Sequence, residues 1–391
     1  MSLNSTPVAN RTHIGIFGKR NVGKSSLINA LTGQSLAIVS DIAGTTTDPV
    51  SKAMEILPLG PVVIFDTAGI DDGDELGKMR VDKSLSVLNK VDIAIYVMVS
   101  GKLPDDDDLA VMEMIKQRGV LMIVVYNKTD LASVSNIDNN AVYVSTATGS
   151  GIDELKKHIC SAMPDEEKRC LISDIISPND VIILVIPIDE SAPKGRIILP
   201  QQQVLREALD IGAIATCVRD SELDAALKSM VKPPRLVITD SQAFGKVKQI
   251  VPEIVPLTSF SILMAKFKGT LNDAVNGAKA LENLKDGDVV LISEGCTHHR
   301  QCADIGTVKL PNWIRNYTGK KLEFKFTSGG EFPADLSEFS LVVHCGGCML
   351  NEREMRYRTA LAKSQSIPMT NYGILISYIN GILSRAIAPL K

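Results

Sequence analysis

Five residues in the last third of the chain have the side chains that hold soft metals. They are the thiol and imidazole of Cys296-Thr297-His298 and those of His344-Cys345-Gly346-Gly347-Cys348, with 45 residues between the two histidines. Thiolates and imidazoles together suit a metal ion or an iron–sulfur cluster. One Cys-x-x-Cys is a weak signal; two separate segments of this kind make a stronger one. Gly346 and Gly347 let the backbone wrap closely around a bulky ligand, with N–H groups free to bond sulfides. A 4Fe–4S cluster on Cys296, Cys345 and Cys348 leaves one iron with a weak position. His298, His344 and Cys302 compete for it, as does an exchangeable ligand. A structural Zn²⁺ on three cysteines and one histidine is a second reading, and a redox dithiol a third. His299 reads as surface.

A different chemistry stands at the other end. The apolar strand His13 to Phe17 runs into Gly18-Lys19-Arg20-Asn21-Val22-Gly23-Lys24-Ser25, a complete G-x-x-x-x-G-K-S loop. Its backbone N–H groups, around Asn21, Val22 and Gly23, turn toward phosphate oxygens. Lys24 reaches the β- and γ-phosphates, Ser25 ligates Mg²⁺, and the helix opening at Ser26 adds its positive end. The run Val62 to Phe65 ends in Asp66-Thr67-Ala68-Gly69. Asp66 holds the Mg²⁺ shell there, and the Gly69 N–H meets the γ-phosphate. Between the two lies Asp41-Ile42-Ala43-Gly44-Thr45-Thr46-Thr47-Asp48, a loop that offers a threonine to Mg²⁺. Met122 to Tyr126 delivers Asn127-Lys128-Thr129-Asp130, whose last carboxylate accepts two hydrogen bonds that guanine offers and adenine does not. Val142 to Val144 leads into Ser145 and Thr146, which contact the base oxygen. The set describes a GTP site. The acids Asp105 to Asp108 read as the solvated start of a helix Leu109 to Gln117.

These groups need elements to carry them. A chain of 391 residues exceeds one core, and its segments divide as 1–165, 170–265 and 266–391. The polar, proline-marked stretch Met163 to Arg169 is a linker. Beyond it, strands (181–187, 213–219, 236–239) alternate with helices (202–209, 223–230), which implies a small parallel sheet. Val181 to Ile188 is apolar throughout, as a buried strand or as an edge that pairs with another subunit. The last segment repeats the alternation with strands at 289–293, 322–326 and 341–343 and helices at 308–317 and 351–363. Both thiol motifs follow strands, and ligands of parallel sheets gather beyond the carboxyl ends of strands. The fold class is therefore α/β: a P-loop GTPase domain followed by two smaller domains with mainly parallel sheets.

The composition is that of a globular chain, 45% hydrophobic and 22% charged, with a net charge of −3. That balance gives no footprint for nucleic acid. No apolar run reaches the ~18 residues a membrane helix needs. The start, MSLNSTPVANRT, has no apolar signal region, so the expected location is the cytoplasm. The other cysteines, Cys160, Cys170 and Cys217, stand apart from both motifs and read as inert.

From residue 12 to about 163 the chain resembles the GTPases of the Era, TrmE and FeoB type. In that resemblance Asn21 matches the asparagine of potassium-activated members, although a polar loop residue would also be tolerated there. Thr46 matches the family's Mg²⁺ threonine, and Lys24, Thr46 and Gly69 form the catalytic group. Thr47 departs from the arginine often found at its place. Ile70 stands where a water-orienting glutamine would act, which implies slow hydrolysis unless K⁺, dimerisation or a partner assists. The whole chain, GTPase then connecting domain then Cys-x-His … His-Cys-x-x-Cys, resembles the FeFe-hydrogenase maturation GTPases (HydF). That resemblance implies a homodimer or higher oligomer with a 4Fe–4S cluster on Cys296, Cys345 and Cys348. It also implies a scaffold that receives a di-iron precursor from two radical-SAM maturases and delivers it to apo-hydrogenase. The rival reading is a ribosome- or RNA-associated GTPase with a structural zinc.

Overall fold

Runs of β-branched residues with no polar face make strands that helices must cover on both sides. In the computed structural model, which describes residues 6–33, 50–67, 69, 86–131, 140–162, 170–188, 197–295 and 305–390, such runs form the inner strands of three sheets. The chain divides into two units, Met1–Glu167 and Lys168–Lys391.

The first unit holds a six-stranded sheet. Its strands are β1 (Thr12–Phe17), β2 (Val50–Ile56), β3 (Gly60–Asp66), β4 (Ile93–Val99), β5 (Leu121–Asn127) and β6 (Ala141–Tyr143). They lie in the order β2-β3-β1-β4-β5-β6, and only the β2–β3 pair is antiparallel. Ile14, Ile16, Ile95 and Val125 face helices Lys24–Thr32 and Ile152–Ala162. Phe17, Ala94 and Tyr96 face helix Asp106–Gln117 on the other side. The central strand β4, which the motif reading passes over, is buried from Ile93 to Met98.

The second unit holds two sheets with one plan. The first has β7 (Val181–Val185), β8 (Ile214–Val218), β9 (Leu236–Thr239) and β10 (Leu257–Ser259), ordered β10-β9-β7-β8. The second has β11 (Val289–Glu294), β12 (Glu323–Ser328), β13 (Leu341–His344) and β14 (Met369–Asn371), ordered β12-β11-β13-β14. Every pair is parallel. In each sheet the second strand lies on one side of the first, the third on the other, and the fourth beyond the third. Hydrogen bonds recur at matching places. The N–H of Asn179 donates to Gly212 O at 2.9 Å, and that of Gly287 to Lys321 O at 2.8 Å. The N–H of Val237 donates to Pro256 O, and that of Val342 to Pro368 O, both at 2.9 Å. Each fourth strand runs straight into a helix, Phe260–Phe267 capped by Ser259 and Tyr372–Ile379 capped by Asn371.

One core joins the two sheets: Ile183, Val185 and Val237 pack in the same cluster as Val290, Ile292 and Val343. The two capped helices meet so closely that a Cβ on Gly373 would lie 2.6 Å from Ser261 Cβ. Of the two readings of Val181 to Ile188, the buried strand holds for the first part, since the strand stops at Val185 and Ile188 is exposed. β7 lies between β9 and β8, and residues 182–185 are fully buried. The edges of that sheet are β10 and β8, and on β8 Ile214 is exposed.

Candidate functional site

The nucleotide loop is shaped by its backbone. Gly18 has φ +138°, and a Cβ there would lie 2.3 Å from Val97 O. The loop also needs left-handed residues at Asn21 (φ 59°) and Gly23 (φ 98°) before helix Lys24–Thr32 begins. Lys24 Nζ donates to Gly18 O and Lys19 O, each at 2.8 Å, which holds the ammonium over the loop. Ser25 Oγ donates to Asp66 Oδ2 at 2.9 Å, so the two expected Mg²⁺ ligands already touch. Burial pushes the Asp66 carboxyl up from its usual range, and the Ser25 hydrogen bond opposes that. Ser26 is exposed in the first helical turn. Thr67, two residues before Gly69, donates its hydroxyl to Ile16 O at 2.7 Å and ties the end of β3 to β1.

The segment expected to read guanine is tied to the same loop. Asn127 Nδ2 donates to Val22 O at 2.9 Å, and Thr146 N–H donates to Asn127 Oδ1 at 3.2 Å. Lys128 Nζ donates to Asn21 O at 2.7 Å. Ser145 Oγ donates to Asp130 Oδ1 at 2.5 Å. Four separated segments thus converge. Thr46 and Ile70 lie outside the described residues.

A further tie was not foreseen. Lys19 pairs with Asp105 and, at 3.6 Å, with Asp108. Asp108 also accepts the Tyr96 hydroxyl at 2.8 Å. The four-acid run does open a helix, with Asp105 as its cap and Asp108 closing the capping box. It is not solvated throughout, because Asp108 is only 7% exposed. A buried tyrosine and the loop lysine drew it inward, a pairing that no local spacing announces.

The thiol site stands at the carboxyl ends of β11 and β13, where Ser293 pairs with His344. Cys345 N–H donates to Ser293 O at 2.9 Å. Cys345 Sγ accepts N–H groups from Gly295 at 3.0 Å and Gly347 at 3.3 Å. The turn requires Gly347: its φ is +63°, and a Cβ there would lie 2.6 Å from Met355 Sδ. Burial pushes the Cys345 thiol up to about 11, with the two N–H donors pulling the other way. Burial also raises Cys348, against the pull of Lys268. Cys296, His298 and Cys302 lie outside the described residues, Cys296 being the next residue after Gly295. Among the described residues no group of three or more His, Cys, Asp and Glu side chains is placed to hold a metal ion. The described part of the site fits a cluster in its donor chemistry: two thiols on one turn, with N–H groups already aimed at sulfur.

His344 is fully buried, and both its nitrogens have protein partners. Nε2 lies 3.0 Å from Arg358 Nη1, and Nδ1 lies 2.8 Å from Cys345 O. A guanidinium only donates, so Nε2 accepts and the proton sits on Nδ1, donating to the Cys345 carbonyl. Burial and then the Arg358 charge push the imidazole down to about 3. Arg358, 1% exposed, also bonds Glu354 Oε1 at 2.5 Å and Gly329 O at 3.0 Å. Lys268 was also missed by the motif reading. It is 3% exposed and donates to Leu350 O, in the turn that carries both cysteines. Burial lowers its ammonium to about 8.

Comparison with known proteins covers nearly the whole chain in pieces. Residues 171–269 match the hydrogen maturase F dimerization domain, and residues 272–389 the hydrogen maturase F tetramerization domain. Residues 13–128 match the 50S ribosome-binding GTPase family. The tRNA modification GTPase MnmE of Aliarcobacter butzleri is 38% identical over 150 residues, which are 37% of this chain and 33% of that protein. MnmE of Aquifex aeolicus is 37% identical over 151 residues, again 37% of this chain and 33% of that protein. The chain thus spans about a third of the length of the curated relatives it matches. Among solved structures, an Era variant of Aquifex aeolicus bound to GDP and aluminium fluoride is 22% identical. It covers 53% of this chain and 92% of its own, with a TM-score of 0.34. No helix among the described residues is long and apolar enough to cross a membrane.

Proposed function

Because the chain belongs to the hydrogen maturase F family, carrying both of that family's oligomerisation domains behind a GTPase domain, we propose that it is a nucleotide-controlled scaffold and carrier for a hydrogenase metal centre. It holds a 4Fe–4S cluster on Cys296, Cys345 and Cys348. It receives a di-iron precursor from two radical-SAM maturases and hands it to apo FeFe-hydrogenase. It works as a homodimer or higher homo-oligomer, a reading supported by the dimerization and tetramerization domains it matches.

The observation that carries the cluster reading is the Gly295 N–H bonded to Cys345 Sγ. It brings the residue next to Cys296 against the Cys-x-x-Cys turn. The chemistry the cluster supplies is an anchoring iron for the incoming unit. The protein's own residues do the rest. Gly295 and Gly347 donate to sulfur, and His344 holds the Cys345 carbonyl. With both imidazole nitrogens engaged inside the protein, His344 orients the turn, and the fourth position falls to His298 or an exchangeable ligand.

The GTPase domain binds GTP with Mg²⁺ and hydrolyses it. Lys24 neutralises the phosphates, while Ser25, Thr46 and Asp66 hold Mg²⁺. The Gly69 N–H meets the γ-phosphate; Asn127, Lys128 and Asp130 select guanine, supported by Ser145 and Thr146. Turnover is slow and raised by K⁺ at Asn21, since Ile70 cannot orient water. The γ-phosphate sets the contacts that the GTPase domain offers to partners, and release of phosphate alters them. Cluster transfer from an Asp130→Asn variant tests the coupling. Transfer to apo-hydrogenase is expected to lose its response to GTP; transfer that still responds as wild type does overturns nucleotide control.

A further inference from the structure

Lys268 is an ammonium where ammonium groups are rarely left. It closes helix Phe260–Phe267, with its N–H donating to Met264 O at 3.0 Å, and it belongs to the segment that joins the first sheet of the unit to the second. From there its side chain enters the second sheet's site. It lines a cavity with His344, Cys345, Gly346 and Met355. It is 3% exposed, and its hydrogen bond goes to a neutral acceptor, Leu350 O. Among the described residues it forms no ion pair. A buried cation without a counter-anion costs several kcal/mol. The ionisable groups that act on it most strongly are Cys348 and then Cys345, ahead of Glu352 and Glu354. Cys345 lines the same cavity, so the thiols, once metal binding has removed their protons, bring negative charge beside an ammonium whose hydrogen bond goes to a neutral carbonyl.

Resting on the cluster reading above, we propose that Lys268 supplies the fixed positive charge that balances the metal-bound thiolates of Cys345 and Cys348 and so raises the reduction potential of their cluster. Reduction adds an electron to an already anionic group. A cation held nearby in a medium of low polarity favours the reduced form, because net charge and burial are what set cluster potentials. The dimerization domain, whose matched residues end at 269, thereby contributes a residue to a site otherwise built by the domain that follows it. Lys268 is a positioning residue: it acts on the cluster through the thiolates.

Three variants of the full chain test this: Lys268→Met, Lys268→Gln and Lys268→Arg. Glutamine keeps a donor for Leu350 O but carries no charge, while arginine keeps the charge. Each is reconstituted anaerobically with iron and sulfide, its fold is checked by circular dichroism, and its potential is read by EPR-monitored titration. The expected result is a shift to lower potential in the Met and Gln variants, with Arg near wild type. Cluster loss in the two neutral variants, with retention in Arg, supports the same conclusion. A Gln variant with the wild-type potential overturns it, because the lysine would then be only a staple for the turn. Cluster loss in both Gln and Arg also overturns it. Wild type that takes up zinc and no cluster removes the underlying cluster reading instead, which is a separate outcome.

Discussion

At the end of β9 the chain runs Thr239-Asp240-Ser241-Gln242-Ala243; at the same place after β13 it runs His344-Cys345-Gly346-Gly347-Cys348. The two strands hold matching positions in sheets of one order. The first sheet spends this strand end on its own packing. Asp240 accepts from Gln201 Nε2 at 2.9 Å, Ser241 bonds Ser259 and Ser261 at 3.2 Å each, and Ala243 joins the core. The second sheet has glycines and thiols there, and Gly295 donates to sulfur. The counterpart of Gly295 at the end of β7 is Pro187, which has no N–H to give. One backbone frame thus carries two outcomes, and the chemistry lies in a few residues beyond the strands.

That contrast breaks most visibly at the cysteines. Cys345→Ser and Cys348→Ser are each expected to abolish most iron binding on reconstitution, while Asp240→Asn, at the matching place, leaves it unchanged. Equal iron loss in the Asp240→Asn variant would erase the distinction between the sheets. Arg358→Met comes next. It strands Glu354 and His344 in the core, at a cost of about 3–5 kcal/mol. Urea unfolding of the second unit should show that loss while nucleotide binding by the first unit persists. Gly347→Ala is smaller: a left-handed alanine costs about 1–2 kcal/mol, with a further penalty from the approach to Met355. The matching change Gln242→Ala should stay within about 0.5 kcal/mol, and a reversal of that order would mean that the tight turn is not what glycine serves.

The smallest effects sharpen the likeness rather than the difference. Ser259 accepts from Ile262 N–H, and Asn371 from Ile374 N–H, at the same corner of each sheet. Ser259→Ala and Asn371→Ala should each cost about 1 kcal/mol by thermal or urea unfolding. Very unequal losses would show that the two corners carry different loads.

The ligand-facing part of the nucleotide site was legible in the sequence because its residues belong to short motifs with fixed spacing, whereas the tie from Lys19 to Asp105 and Asp108 was not. Gly18, Ser25, Asp66, Asn127 and Asp130 announce themselves by their neighbours. The strands flanking the thiols were legible as apolar runs, but three-residue β10 and β14 were not, since so short a strand shows no period. Long-range pairings left no local trace. Arg358 sits 14 residues from His344 and Lys268 sits 82 residues from Leu350, so only the fold brings them together. The motif reading offered His344 as a ligand from its place beside Cys345; its two hydrogen bonds give it a different role in our account.

The central claim is that Cys296 joins Cys345 and Cys348 around one cluster. The direct measurement is anaerobic reconstitution of the full chain, wild type and Cys296→Ser, followed by iron, sulfide and zinc analysis and EPR of the reduced protein. The account predicts iron and sulfide in equal amounts with a reduced 4Fe–4S signal in wild type, and a lost or altered signal in the variant. An unchanged signal in Cys296→Ser, or zinc without iron in wild type, would contradict it.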